Sequence, residues 1–186
     1  MNAKSPVRAD LPPTVEICIL AGGLSSRMGR DKARLRLAGQ SLLARVRAVA
    51  AETSWPVRVI RRDLVPRCGP LGGVCTALRT TQADAVVFLA CDMPFITAEC
   101  IGKLAKLNLP KQLAVFTLGG SGAGFPFLLR RDALPKVEEQ IADGRFSLQE
   151  LAAKCRARMI QAPADARTLV NVNTPADWRR ARRIAK

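Results

Sequence analysis

The sequence contains no histidine and no tyrosine. Without an imidazole, Ser–His and Cys–His nucleophilic catalysis is excluded, and so is a histidine base working near neutral pH. The six cysteines, at 18, 68, 75, 91, 100 and 155, form no Cys-x-x-Cys pair. A zinc site would therefore need four scattered thiolates to converge. Cys18 and Cys91 belong to apolar runs, where cysteine behaves as a small buried hydrophobe. The set reads as reduced thiols in a reducing compartment. Aromatic residues are only 4% of the chain, too few for the stacking platforms that single-stranded nucleic acid needs. No apolar run approaches the ~18 residues of a membrane span; the longest, around residues 85–89, is strand-sized. Met1 to Pro13 carries charges and prolines but no apolar signal-peptide stretch. Residues 1–14 are expected to be a loose tail, residues 15–186 a single domain, and the protein cytoplasmic.

Acidic residues are also scarce. Fifteen Asp and Glu face thirty Lys and Arg, a net charge of +15. That balance favours anionic partners. Nucleic acid, phospholipid headgroups and a phosphate-rich small molecule all qualify, and charge alone names none of them. With histidine absent, the chemistry must use carboxylates, cations, backbone amides or a metal.

What is present is an alternation of strand and helix patterns. The apolar run from Val15 to Leu20 ends at Gly22-Gly23, a buried strand followed by a glycine loop. Ser41 caps a helical pattern of Leu42, Leu43, Val46, Val49 and Ala50. Residues 56–60 form a second strand, and Gly69-Pro70-Leu71-Gly72-Gly73 a turn feeding a helix over 74–80. Residues 85–90 are a buried strand ending at Cys91-Asp92-Met93-Pro94, with a helix over 97–107 beyond it. Strands are expected at 113–118 and 125–129, helices at 132–142 and 147–154, and a short strand at 170–173. Thr174 and Pro175 then open the last helix. Such alternation predicts a mostly parallel sheet covered by helices on both faces. Ligands in such sheets bind beyond the carboxyl ends of the strands, which puts Gly22-Gly23 and Asp92 in one crevice.

The segment Leu20-Ala21-Gly22-Gly23-Leu24-Ser25-Ser26-Arg27-Met28-Gly29-Arg30-Asp31-Lys32 suits phosphate. Its glycines let backbone amides approach an anion, and Arg27 and Lys32 add full positive charges. It is neither a dinucleotide-binding fingerprint nor a P-loop. As a whole pattern it resembles the L-A-G-G-x-S-x-R-M-G-x-x-K signature of the molybdenum cofactor nucleotidyltransferases. Three further segments match in order: Asp63 with Gly69-Pro70-Leu71-Gly72-Gly73, then Cys91-Asp92-Met93-Pro94, then Asn171-Val172-Asn173-Thr174-Pro175. The likeness runs from about residue 15 to 180.

The resemblance implies a three-layer α/β sandwich of the Rossmann-like, nucleotide-diphospho-sugar transferase type. It also implies transfer of GMP from GTP to the terminal phosphate of the molybdenum cofactor, with Mg²⁺. Ala21-Gly22-Gly23 stands where cytidylyl members usually show A-A-G, which favours the guanylyl reaction. Carried over, Leu20, Ala21, Gly22, Gly23, Lys32 and Asp63 contact GTP, Asp92 binds GTP and Mg²⁺, and Arg27, Lys32 and Asp92 carry catalysis. The chain departs from the family where an S-A-N-R-like strand end usually supplies an asparagine; only residues 56–63 fill that gap. A cytidylyltransferase, or another nucleotide-activating enzyme of this fold, therefore stays open as an alternative. A non-catalytic cofactor-delivery homologue is disfavoured by the retention of Lys32, Asp63 and Asp92. Phe125-Pro126-Phe127 stands where the family carries H-P or Q-P, and reads as a buried strand. An acidic apo-molybdoenzyme or accessory protein is a further expected partner, with neither nucleic acid nor membrane involved.

Overall fold

The structure is a computed structural model that describes residues 13–22, 35–107, 112–120, 122–165 and 167–185. Its centre is a six-stranded sheet built from β1 (Val15–Leu20), β4 (Val57–Ile60), β5 (Ala85–Ala90), β6 (Ala114–Gly119), β7 (Gly122–Arg130) and β8 (Arg158–Gln161). The strand order is β4-β1-β5-β7-β6-β8. β4, β1 and β5 run parallel, β6 and β8 are parallel to each other, and β7 lies antiparallel between β5 and β6. Every strand except β7 thus ends on the same edge.

The apolar runs dictate this arrangement. A strand with helices on both faces has no polar side to show, and β5 is buried along its first five residues. One face packs Cys18, Leu20, Val86, Phe88, Phe116 and Phe127 against α2 (Pro70–Thr80), α4 (Leu134–Ala142) and α5 (Leu148–Lys154). The other packs Ile17, Ile19, Val87, Leu89 and Val115 against α1 (Leu42–Ala51) and α3 (Ala98–Lys106). A smaller cluster joins the hairpin of β2 (Arg36–Leu37) and β3 (Gln40–Ser41) to α6 (Pro175–Ile184) through Leu37, Leu42, Val172 and Ala181. The three-layer α/β sandwich read from the sequence is the fold observed.

The caps follow the sequence closely. Ser41, Thr97 and Ser147 each accept an amide hydrogen bond at a helix start, and Thr174 with Asp177 forms a full capping box. Three readings need correction. α2 begins at Pro70, so the Gly-Pro-Leu-Gly-Gly segment is the first turn of the helix itself. Pro70 suits that position because its missing N–H would be unpaired there anyway, and Gly69 enters with φ 55°, a conformation glycine tolerates. Residues 170–173 are not a strand. Val170 and Val172 are buried and their neighbours exposed, which imitates strand alternation, but Val172 N–H bonds the Asp92 carbonyl (2.9 Å) and Val170 N–H closes a turn onto Arg167. The sixth strand is instead β8, whose exposed edge pattern carries no apolar signal. Of the expected tail, residues 1–12 lie outside the described residues; Thr14 bonds the Asp84 carboxylate through its amide (2.8 Å) and hydroxyl (2.9 Å).

Among the described residues no helix is long and apolar enough to cross a membrane. None of the six cysteines forms a disulfide. Burial pushes the Cys18 thiol up to about 12 and the Cys100 thiol up to about 11, so both stay protonated and inert as nucleophiles.

Candidate active site

Parallel strands ending on one edge bring their following loops together there. Ala21 N–H bonds the Ile60 carbonyl (2.8 Å), and Cys91 N–H bonds the Leu20 carbonyl (3.1 Å). The ends of β4, β1 and β5 are thereby stitched into one rim. Asp63 follows β4, Gly22 follows β1 and Asp92 follows β5. Two strand spacings, roughly 10 Å, separate β4 from β5.

Asp63 is the best-defined feature. Its carboxylate is wedged among three glycines. A Cβ added at Gly72 would lie 2.9 Å from Asp63 Oδ2, one at Gly73 3.3 Å from Oδ1, and one at Gly22 3.4 Å from Oδ1. The same Gly72 Cβ would lie 2.5 Å from the Val65 carbonyl oxygen, and the Gly73 Cβ 3.0 Å from Leu20 Cδ2. Thr76 fixes this geometry: its Oγ1 accepts from Leu64 N–H (2.8 Å) and donates to the Gly72 carbonyl (2.8 Å). Leu20, Gly22, Asp63, Gly72 and Gly73, far apart in sequence, thus meet in one place. Sequence reading missed Thr76; its signal is a threonine within a helix, able to bond back four residues.

Partial burial raises the Asp63 carboxyl above the usual carboxylate range, and no hydrogen bond reaches it among the described residues. A partly desolvated carboxylate set against the glycines of the first turn of α2 is a candidate ligand group. It also has a thermodynamic consequence. A raised folded value means the native state binds protons more tightly than the unfolded chain, so stability falls as pH rises through that window. Asp63→Asn should therefore raise the nucleotide-free Tm at pH 7 while weakening nucleotide binding, and the gain should vanish below the ordinary carboxylate range. Thermal melts across pH check this; a lower Tm for the variant at pH 7 would overturn it.

Asp92 sits half-buried in a turn beyond β5. Met93, fully buried, anchors the turn. Val172 N–H on the Asp92 carbonyl brings the Asn171-Val172-Asn173 segment beside it, joining two motifs eighty residues apart in the chain. Among the described residues no cluster of three or more acidic or thiol ligands could hold a metal. Gly23, Arg27 and Lys32 lie outside the described residues. Further along the rim, beyond β6, a cavity of about 400 Å³ opens between the β6–β7 hairpin and the segment before α6, lined by Thr117, Gly120, Gly124, Asn171 and Arg180.

A mostly parallel sheet whose carboxyl edge presents a glycine loop and two separated carboxylates is the framework of a nucleotidyltransferase. Residues 17–158 match the MobA-like NTP transferase domain, and the chain belongs to that family. It is 34% identical to the probable molybdenum cofactor guanylyltransferase of Opitutus terrae, covering 89% of this chain and 93% of that one. It is 30% identical to the protein of the same description from Carboxydothermus hydrogenoformans, covering 90% and 95%. Among solved structures it resembles molybdopterin-guanine dinucleotide biosynthesis protein A from Archaeoglobus fulgidus, with TM-score 0.74, 19% identity, and 91% and 97% of the two chains covered. A Mycobacterium tuberculosis protein solved in complex with manganese matches with TM-score 0.63, 16% identity, and 93% and 100% covered.

Proposed function

We propose that this protein transfers GMP from GTP to the terminal phosphate of the molybdenum cofactor, releasing pyrophosphate and giving the guanine dinucleotide form. The observation that carries the reading is Asp63, a carboxylate without a hydrogen-bond partner among the described residues, set against Gly22, Gly72 and Gly73. Guanine's pairing edge offers two donors, and a carboxylate is the acceptor that matches them. The names of the relatives support the same reaction.

The donor set fits a magnesium ion. Mg²⁺ is commonly held by one or two carboxylates plus substrate phosphates and water, with no need for an all-protein cage. Asp92, half-buried at a strand end, offers such a carboxylate, and the manganese in a neighbour of the same fold supports a divalent ion. Bound by Asp92, Mg²⁺ would neutralise charge between the reacting phosphates.

The acceptor phosphate is anionic near neutral pH, so its oxygen attacks the α-phosphorus of GTP without a base. A new P–O bond forms, the bond to the bridging oxygen breaks, and pyrophosphate leaves with that electron pair. The protein's part is alignment and charge. Leu20, Ala21, Gly22 and Gly23 bring backbone to the triphosphate, while Lys32 and Arg27 stabilise charge gathering on pyrophosphate. The net charge of +15 suits an anionic cofactor and an acidic acceptor enzyme, and six cysteines without a disulfide suit the cytoplasm.

GTP with Mg²⁺ should protect the protein against heat more than CTP or ATP does. At about 100 times its Kd a ligand contributes about 2.7 kcal/mol, a shift of several degrees for a chain of this size. Greater protection by CTP would make the protein a cytidylyltransferase instead. Incubation with GTP, Mg²⁺ and molybdenum cofactor should then yield the guanine dinucleotide.

A further inference from the structure

The β6–β7 hairpin holds four glycines within six residues, at 119, 120, 122 and 124. Gly122 is required by its backbone, with φ 98°. The other three are not. None has a left-handed φ, a Cβ at Gly120 or Gly124 would meet nothing within 4 Å, and one at Gly119 would meet only the Gly122 carbonyl at 3.9 Å. Replacing glycine by alanine at such places ordinarily stabilises a protein, because the unfolded chain loses freedom. Neither a left-handed φ nor packing accounts for these three bare positions.

Their placement does. Side chains alternate across a sheet. Thr117 and Gly119 therefore share one face of β6, and Gly124, paired with Thr117, shares it from β7. Leu118 and Ala123 occupy the opposite face, where Ala123 joins the core. The bare face is thus one-sided, and it lines the cavity of about 400 Å³ beside Asn171 and Arg180. Thr117 holds the strand offset that exposes it, its Oγ1 donating to the Pro126 carbonyl at 2.7 Å. The opposite wall is tied to the metal-side turn through Val172 N–H on the Asp92 carbonyl.

A face without side chains lets a planar ring lie against peptide groups at van der Waals distance, which any Cβ would prevent. Arg180 stands at the rim, exposed and without an ion pair among the described residues, while the neighbouring Asp177 carboxylate accepts from the Asn173 and Thr174 amides. Building on the reaction proposed above, we infer that this glycine face is a specificity surface for the acceptor. It takes the flat fused-ring half of a heterocyclic phosphate, with the phosphate directed toward Asp92 and a cation waiting at the rim.

The experiment compares wild-type protein with Gly124→Val and Gly120→Val in three measurements: binding of molybdopterin by its ring fluorescence, binding of GTP by titration, and Tm. Wild type should bind molybdopterin. Each valine variant should weaken that binding at least tenfold, leave GTP affinity within twofold and keep the wild-type Tm. Gly124→Ala, too small to disturb the strand, should shift molybdopterin binding in the same direction by less. Unchanged molybdopterin binding in all three variants overturns the glycine surface and leaves the guanylyl reading standing. Parallel loss of GTP binding and Tm also overturns it, since the glycines would then serve the fold. Absence of molybdopterin binding in wild type, with GTP still bound, overturns the acceptor assignment itself.

Discussion

Asp92→Asn should lower turnover by roughly 10²-fold or more at saturating GTP and Mg²⁺, the scale lost when one electrostatic contact to a transition state is removed. The substitution keeps the side chain's shape and one carbonyl oxygen, so the turn closed by Met93 N–H on the Ala90 carbonyl (3.4 Å) should persist. What would disappear is the negative charge proposed above to hold a divalent ion. Stability without nucleotide should change little, because the side chain's size and shape are kept. Steady-state kinetics with a parallel thermal melt separate the two effects. Turnover near wild type would move the metal to another carboxylate, with Asp63 the next in line. A large fall in Tm alongside the lost turnover would mean that the aspartate is structural.

Gly72→Ala should damage both the fold and the nucleotide site. Its methyl group would be placed 2.5 Å from the Val65 carbonyl oxygen and 2.9 Å from Asp63 Oδ2. The first neighbour is backbone, held by the loop that enters α2, and cannot rotate away. Forced overpacking of this kind costs about 1–3 kcal/mol, a drop in Tm of several degrees. The second neighbour is the carboxylate proposed to read guanine, and displacement of about 1 Å at such a contact can cost 10²-fold. GTP affinity should therefore fall by one to two orders of magnitude. Gly73→Ala makes the matched comparison, since its methyl meets mainly Leu20 Cδ2 at 3.0 Å, the end of a side chain that can turn. Equal Tm and equal GTP affinity for both variants would refute the account of the Asp63 cradle.

The sequence made the layered fold legible because its central strands are continuous apolar runs and α1, α3, α5 and α6 begin with Ser or Thr caps. Both signals are local and strong. It misled where a pattern had two physical origins. Val170 and Val172 alternate with exposed residues because they pin a loop onto the core and onto the Asp92 carbonyl. β8 escaped notice for the opposite reason: this edge strand pairs with β6 and turns only Ile160 toward the core, too little for an apolar pattern. The residue types of the site were readable from the motifs, but their convergence was not. Nothing in the spacing says that Gly22, Gly72 and Gly73 close around one carboxylate, or that Thr76 bolts the Asp63 segment to α2. The hairpin glycines passed unremarked because their meaning lies in what does not surround them.

Three phenylalanines stack in a row beneath the crevice. Phe88 of β5 lies 5.0 Å from Phe127 of β7, and Phe127 lies 4.5 Å from Phe116 of β6, with ring planes 22° and 6° apart. The row crosses β7, the one strand of this sheet that runs against the rest, and it does so with flat, close-packed contacts. Asp92 stands four residues beyond Phe88, and Gly119, the first glycine of the face, three residues beyond Phe116. The two halves of the crevice are thus mounted on a single keel. If the acceptor and the triphosphate bind as proposed above, they would meet at a separation already set when the chain folded, and each catalytic cycle would inherit its alignment instead of rebuilding it.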